Sequence, residues 1–155
     1  MRIAIPIHSF EPGGVERVAL RLAAQWQAAG QTVVIVLGRN EGCCADQAPA
    51  LDYRSIPEPI PTASWETIWM IWSLFRFLTT QQVDVLFCPG NTYTIVCVAM
   101  RFLLGDRFPP VVVKISNDLE RQDMATPFRF FYRAWLRIQG KQLDHFVALD
   151  RKSVV

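Results

Sequence analysis

Pairs of cysteine at metal-binding or redox spacing are missing from this 155-residue sequence. Cys43, Cys44, Cys88 and Cys97 form no C-x-x-C, and the vicinal Cys43–Cys44 suits neither a zinc knuckle nor an ordinary bridge. Cys88 and Cys97 lie in apolar surroundings and read as buried thiols, which places the chain in a reducing compartment. The common phosphate and nucleophile motifs are absent too. Without G-x-G-x-x-G a dinucleotide site is disfavoured, without G-x-x-x-x-G-K-[ST] a P-loop NTPase, and without G-x-S-x-G a hydrolase. Long apolar runs are lacking. Ile68–Leu78 and Thr94–Leu104 each carry an arginine and fall short of the roughly 20 residues of a spanning helix. The N-terminal apolar run is broken by Pro6 and is too short for a signal peptide. A cytoplasmic protein is expected. Excess charge is small, +2 overall, which is too weak to point to nucleic acid.

What remains is a chain 51% hydrophobic and 19% charged, sized for one globular domain over residues 1–155. Ile3–Ile7 is a short apolar run and reads as a first strand. After Gly14 the period changes: Val15, Val18, Ala19, Leu22, Ala23 and Trp26 share one helical face, and Gly30 is placed to end the helix. Thr32–Leu37 is a β-branched run of the kind buried on both faces. Leu51–Ile56 is a weaker strand, and Ser64 is placed to cap a helix running to Gln81. Strands follow at Val83–Cys88, Pro110–Ile115 and Leu143–Leu149, with helices from Gly90 to Leu104 and from Pro127 to Gly140. Strands alternating with helices predict an α/β fold, a doubly wound and mostly parallel Rossmann-like sheet.

The loop H-S-F-E-P-G-G-V-E-R joins the first strand to the first helix. In open α/β sheets ligands bind beyond the carboxyl ends of strands. Gly13 and Gly14 let a ligand approach backbone, and the helix that follows points free N–H groups at it, an arrangement suited to phosphate. The same residues also read as a plain strand-to-helix turn in which Glu16 complements the helix dipole.

P-G-G-V-E-R-V-A-L-R-L-A, followed by A-A-G-Q-T-V-V-I-V, resembles the opening of the family-four, retaining GT-B glycosyltransferases. V-D-V-L-F-C-P-G-N, P-V-V-V-K-I-S-N-D and L-D-H-F-V-A-L-D resemble later stretches of that family, in its order. The resemblance covers nearly the whole chain, most weakly from Gly42 to Thr80. It implies the N-terminal, acceptor-side half of a two-domain enzyme, with a nucleotide sugar as substrate and no further cofactor or metal. The sugar would pass to a sugar or lipid-linked acceptor. It also implies substrate-binding positions at Gly13, Gly14, Arg17, Asn91, Ser116, Asn117 and Asp118, with the glycine pair approaching the donor diphosphate and Asn91, Ser116, Asn117 and Asp118 lining the acceptor side. Asn91 also reads as a helix cap, and Asn117 and Asp118 as turn residues. Several relatives carry a histidine where Ser116 stands, so their substrate choice does not transfer and no catalytic side chain is assigned. His8 reads as an incidental loop histidine and His145 as structural within a buried strand.

Two aromatic helices complete the picture. Arg129, Arg133 and Arg137 recur every four residues beside Phe128, Phe130, Phe131, Tyr132 and Trp135, a face suited either to solvent over a packed helix or to an anionic membrane surface. The Trp65–Phe77 stretch reads first as core. Family relatives continue with a donor-binding domain where this sequence ends. The chain alone is therefore expected to be inactive in transfer, to need that domain or a partner chain, and to self-associate through uncovered apolar surface. The alternatives are a non-catalytic nucleotide- or partner-binding α/β module and, lacking its dinucleotide fingerprint, an epimerase.

Overall fold

Strands that are apolar on both faces are stable only where both faces are covered. A computed structural model describes residues 1–11, 13–43, 45–115 and 126–148, and of residues 47, 126–133 and 148 the backbone alone. It meets that demand with a six-stranded, all-parallel sheet. The strands are β1 (Arg2–Ile7), β2 (Thr32–Leu37), β3 (Asp52–Ser55), β4 (Val85–Cys88), β5 (Val111–Ile115) and β6 (His145–Ala148), in the spatial order β3-β2-β1-β4-β5-β6. Helices α1 (Gly14–Ala28), α2 (Glu66–Thr80), α3 (Thr94–Leu104) and α4 (Thr126–Gln142) fill the connections.

Alternate strand residues enter two separate cores. Ile3, Ile5 and Ile7 of β1 pack with Val33, Ile35 and Leu37 of β2 under Ala19 and Ala23 of α1. Ala4, Val34, Val36 and Leu86 pack on the other face with Met70 and Leu74 of α2 and Val96 and Met100 of α3. Each buried Val, Leu, Ile or Met side chain among these contributes about 1.5–3 kcal/mol. Helix α1 ends as its glycine predicts. Gly30 has φ +83°, its N–H donates to the Gln27 carbonyl, and that of Gln31 donates to Trp26. On the far side, Arg101 of α3 donates through Nε to the Gln142 carbonyl (3.0 Å) and through Nη2 to Asp144 (2.6 Å). Asp144 in turn accepts from the Val111 N–H, so one carboxylate fixes the ends of α4, β5 and β6.

Three expectations need correction. Ser64 caps nothing: a 3-10 turn at Ala63–Trp65 precedes α2, and no side-chain cap bond closes either element. The Trp65–Phe77 stretch is core only on one side. Trp69 and Phe77 are buried, whereas Ile68 and Trp72 are exposed, Trp72 lying beneath the Arg76 guanidinium. His145 is exposed rather than buried, because β6 pairs only with β5 among the described residues and leaves Phe146 and Val147 in solvent as well. Cys88 and Cys97 are buried free thiols, as their surroundings predict, and the hydrogen bond that the Cys97 thiol donates to Cys88, together with burial, holds it well above its ordinary pKa.

Candidate functional site

The strand order reverses between β1 and β4, and a doubly wound sheet opens its binding crevice at such a point, beyond the strand ends. Two loops meet there: residues 8–11 and 13 after β1, and residues 89–93 after β4. Their junction is close. A Cβ on Gly90 would stand 2.9 Å from a Val15 methyl, so the β4 loop lies directly on the first turn of α1.

A chain of hydrogen bonds crosses this junction. The His8 backbone N–H donates to the Tyr93 hydroxyl (3.0 Å), which donates to Oε1 of Glu16 (2.7 Å). Tyr93 is wholly buried, and its ring stacks on that of His8 with centroids 4.6 Å apart. Burial, together with the Glu16 carboxylate it binds, pushes the Tyr93 phenol far above its ordinary value, so the hydroxyl stays a donor to Glu16. Burial lowers the His8 pKa, opposed by Glu66 and Glu16 and assisted by Arg39. His8 is 7% exposed, and neither ring nitrogen has a hydrogen-bond partner. Sequence reasoning set His8 aside and did not single out Tyr93. Nothing in the spacing of Glu16 and Tyr93, far apart in the chain, announces their contact.

The expected site residues fall as follows. Gly13 is the residue before α1, with extended backbone, and a Cβ there would fall 1.8 Å from Oε2 of Glu16. The flank of Gly13 is therefore already filled by a carboxylate. Gly14, the first residue of α1, has nothing within 4 Å of its Cβ position and is open. Arg17 is exposed one turn on, its backbone N–H donating to the Gly13 carbonyl. Asn91 opens a 3-10 turn (Asn91–Tyr93) ahead of α3. Its side chain makes no cap bond, and its carbonyl accepts from the Thr94 hydroxyl at 2.7 Å. The structure thus brings Gly13, Gly14 and Asn91 to the one junction. Ser116, Asn117 and Asp118 follow β5 and lie outside the described residues, as do the side chains of Arg129 and Arg133.

The loop after β2 is laced to the same place. Arg39 N–H donates to the His8 carbonyl (2.7 Å) and Phe10 N–H to the Glu41 carbonyl (2.9 Å). Trp69 of α2 donates its indole N–H to the Gly38 carbonyl (2.7 Å). Gly42, at φ +137°, lies against the Phe10 backbone, where any Cβ would collide at 2.3 Å. Among the described residues no group of three His, Cys, Asp or Glu side chains could hold a metal, and no helix is long and apolar enough to cross a membrane.

The model of the glycosyl transferase 4-like domain matches residues 13–154. No curated protein matches the chain. Among solved structures the fold is shared with MurG of Acinetobacter baumannii (TM-score 0.59, 17% identity, 99% of this chain and 42% of that one). It is also shared with Anabaena Alr3699/HepE in complex with UDP and glucose (0.62, 13%, 94% and 37%). A third is the apo lipopolysaccharide outer core galactosyltransferase WaaB (0.55, 12%, 100% and 48%). The chain thus spans less than half the length of each of these structures.

Proposed function

Since the chain belongs to the glycosyl transferase 4-like domain family, we propose that it is the acceptor-side half of a two-domain enzyme transferring a sugar from a nucleotide donor to a sugar or lipid-linked acceptor. The observation that carries this reading is the glycine pair at the N-terminus of α1, set at the point where the strand order of the sheet reverses. The likeness in fold to a protein crystallised with UDP and glucose supports a nucleotide-sugar donor.

In this reading the donor diphosphate approaches the open Gly14 side of the pair, because the Glu16 carboxylate over Gly13 repels it. Arg17 borders the approach, with Asn91, Ser116, Asn117 and Asp118 proposed on the acceptor side. The departing diphosphate must be neutralised by preorganised charge, and donor and acceptor must be held together. Of the residues at the junction, Arg17 offers one exposed cation, Tyr93 and Asn91 carry no charge and Glu16 carries the wrong sign, so the charge of the departing diphosphate is not matched here. The neutralising cations are assigned to a second domain, and the chain alone is proposed to transfer nothing. Peripheral membrane contact belongs to the same proposal, supported by the exposed Ile68, Trp72 and Phe102 on α2 and α3.

The test is transfer from UDP-glucose and other nucleotide sugars to polyprenyl-linked and free sugar acceptors. It compares this chain with the chain joined to its downstream coding sequence. Transfer by the joined protein alone is expected. Turnover by a monodisperse preparation of the 155 residues would contradict it, and so would micromolar NAD binding with no response to nucleotide sugars in the joined protein.

A further inference from the structure

Asn91 is pinned by its backbone and left open at its side chain. The half-buried side-chain amide makes no hydrogen bond among the described residues. The peptide groups on both sides of it are held from beneath. The Gly90 carbonyl accepts from the Tyr93 N–H (3.0 Å) and from the Cys88 thiol (3.4 Å). The Asn91 carbonyl accepts from the Thr94 N–H and, at 2.7 Å, from the Thr94 hydroxyl. Fixing two successive peptide planes fixes φ and ψ between them, and with these the direction of the Asn91 Cα–Cβ bond.

A hydroxyl has one proton to give, and the partners around it decide where that proton goes. Gln139 of α4 donates its side-chain Nε2–H to Thr94 Oγ1 at 2.8 Å. This donor occupies a lone pair of the hydroxyl and leaves the Thr94 proton to the Asn91 carbonyl. Thr94 is 1% exposed and Gln139 8%, so the relay is shut off from bulk water. Packing gives no reason for a glutamine at this place. Gln139 stands four residues from Trp135 and four from Leu143, which share an apolar core with Val96 and Met100 of α3. A methionine or leucine would fill the position without desolvating an amide. Thr94 alone closes the first turn of α3 through its local bond to Asn91. The bond from Gln139, 45 residues away in the chain, therefore serves more than the start of that helix.

We infer that Gln139 is a positioning residue: acting through Thr94, it locks the turn that carries Asn91, so that the side-chain amide of Asn91 meets the acceptor already in place. The inference rests on the acceptor-side reading of Asn91 and adds the residue that aims it. A preformed group spares the ligand the cost of ordering it, so the loss on disruption falls on the acceptor and not on the donor. Two variants test this. Gln139→Glu keeps the shape, but a carboxylate only accepts and draws the Thr94 proton away from Asn91. Thr94→Val removes the hydroxyl at nearly equal volume, and stands in should a buried carboxylate prevent folding. In the ¹³C,¹⁵N-labelled chain each should move the Asn91 carbonyl carbon upfield and leave the amides of β2 and β3 in place. In the chain joined to its downstream sequence, each should raise the KM for the sugar or polyprenyl-linked acceptor about five-fold or more, and hold the donor KM within about two-fold. Added to Asn91→Ala, Gln139→Glu should change the acceptor KM by less than about two-fold, because it acts through Asn91.

A glutamine that only packs α4 on α3 would lower the unfolding temperature when replaced and leave the ratio of the two KM values alone. That result, an unmoved Asn91 carbonyl, a parallel rise in the donor KM, or additive effects in the double variant would each overturn the inference while the acceptor-side reading stands. The reading fails in a different way. An Asn91→Ala protein with the parent's acceptor KM, or no transfer by the joined protein, would remove it and the inference with it, even with the carbonyl moved as expected.

Discussion

Replacing Tyr93 with phenylalanine removes one oxygen from the interior while keeping the ring, its stack on His8 and the volume of the core. Two hydrogen bonds vanish with it. The His8 N–H loses its acceptor inside the protein, at a cost of about 1–3 kcal/mol for a buried unsatisfied group. The bond to a carboxylate is worth about 1.5–3 kcal/mol when desolvated. Glu16 is only half-buried and recovers water, so the lower part of that range applies. A loss of about 2–4 kcal/mol follows, and at about 2–4 °C per kcal/mol for a chain of this size the Tm falls on the order of 10 °C. Urea unfolding followed by tryptophan fluorescence measures it. Glu16→Gln keeps an acceptor for the hydroxyl and should cost under about 1 kcal/mol, so its coupling to Tyr93→Phe should also stay below about 1 kcal/mol. A Tyr93→Phe protein within about 0.5 kcal/mol of the parent would refute the whole chain of reasoning, because no buried N–H would then depend on that hydroxyl.

His8 predicts a pH dependence. Its folded pKa lies below the ordinary 6.5, so the unfolded chain takes the proton first. The stabilising contribution is complete above about pH 6.5 and is lost as pH falls from there towards the folded value. In His8→Phe that part of the acid-side slope should disappear from unfolding curves measured between pH 7 and 5; identical slopes would show that His8 is not the titrating group. Gly14→Val should leave the unfolding midpoint within about 1 kcal/mol, because its Cβ meets open space, yet should cut donor-dependent turnover in the two-domain protein. Unchanged turnover would remove Gly14 from the donor approach. Asn91→Ala should likewise be silent in stability, since the side chain caps no helix, and should raise the acceptor KM more than the donor KM. A marked loss of stability would restore a structural role.

The sheet was legible because its strands carry their burial in composition: Val33–Leu37 and Ile3–Ile7 are apolar at every position or nearly so, which only a doubly covered parallel strand explains. Gly30 announced the end of α1 because only glycine accepts its positive φ cheaply. Exposure was harder to foresee. His145 and Phe146 read as interior, but what covers a strand depends on its place in the sheet, and local pattern is silent about edges. The glycine loop drew attention through its residue types. The Glu16–Tyr93 contact did not, because it is assembled across elements that the sequence separates. Trp69 shows the same difficulty from the other side. It reads as helix core, which it is, and only the folded chain reveals that its N–H also fixes the Gly38 carbonyl.

The position of β1 has a consequence in time. Of the strands of this sheet it comes earliest in the chain, yet it lies in the middle, with Ile3 beside Val33 on one side and Val85 on the other. A ribosome delivers Ile3–Ile7 long before Val85 leaves the exit tunnel. In that interval one hydrogen-bonding edge of a wholly apolar strand has no native partner, and loop closure over so many residues is slow. Chaperone capture, or mispairing with another nascent chain, is therefore concentrated between the synthesis of β1 and that of β4. Yield in a host should respond to translation rate across codons 40–85 more than to conditions imposed on the finished protein.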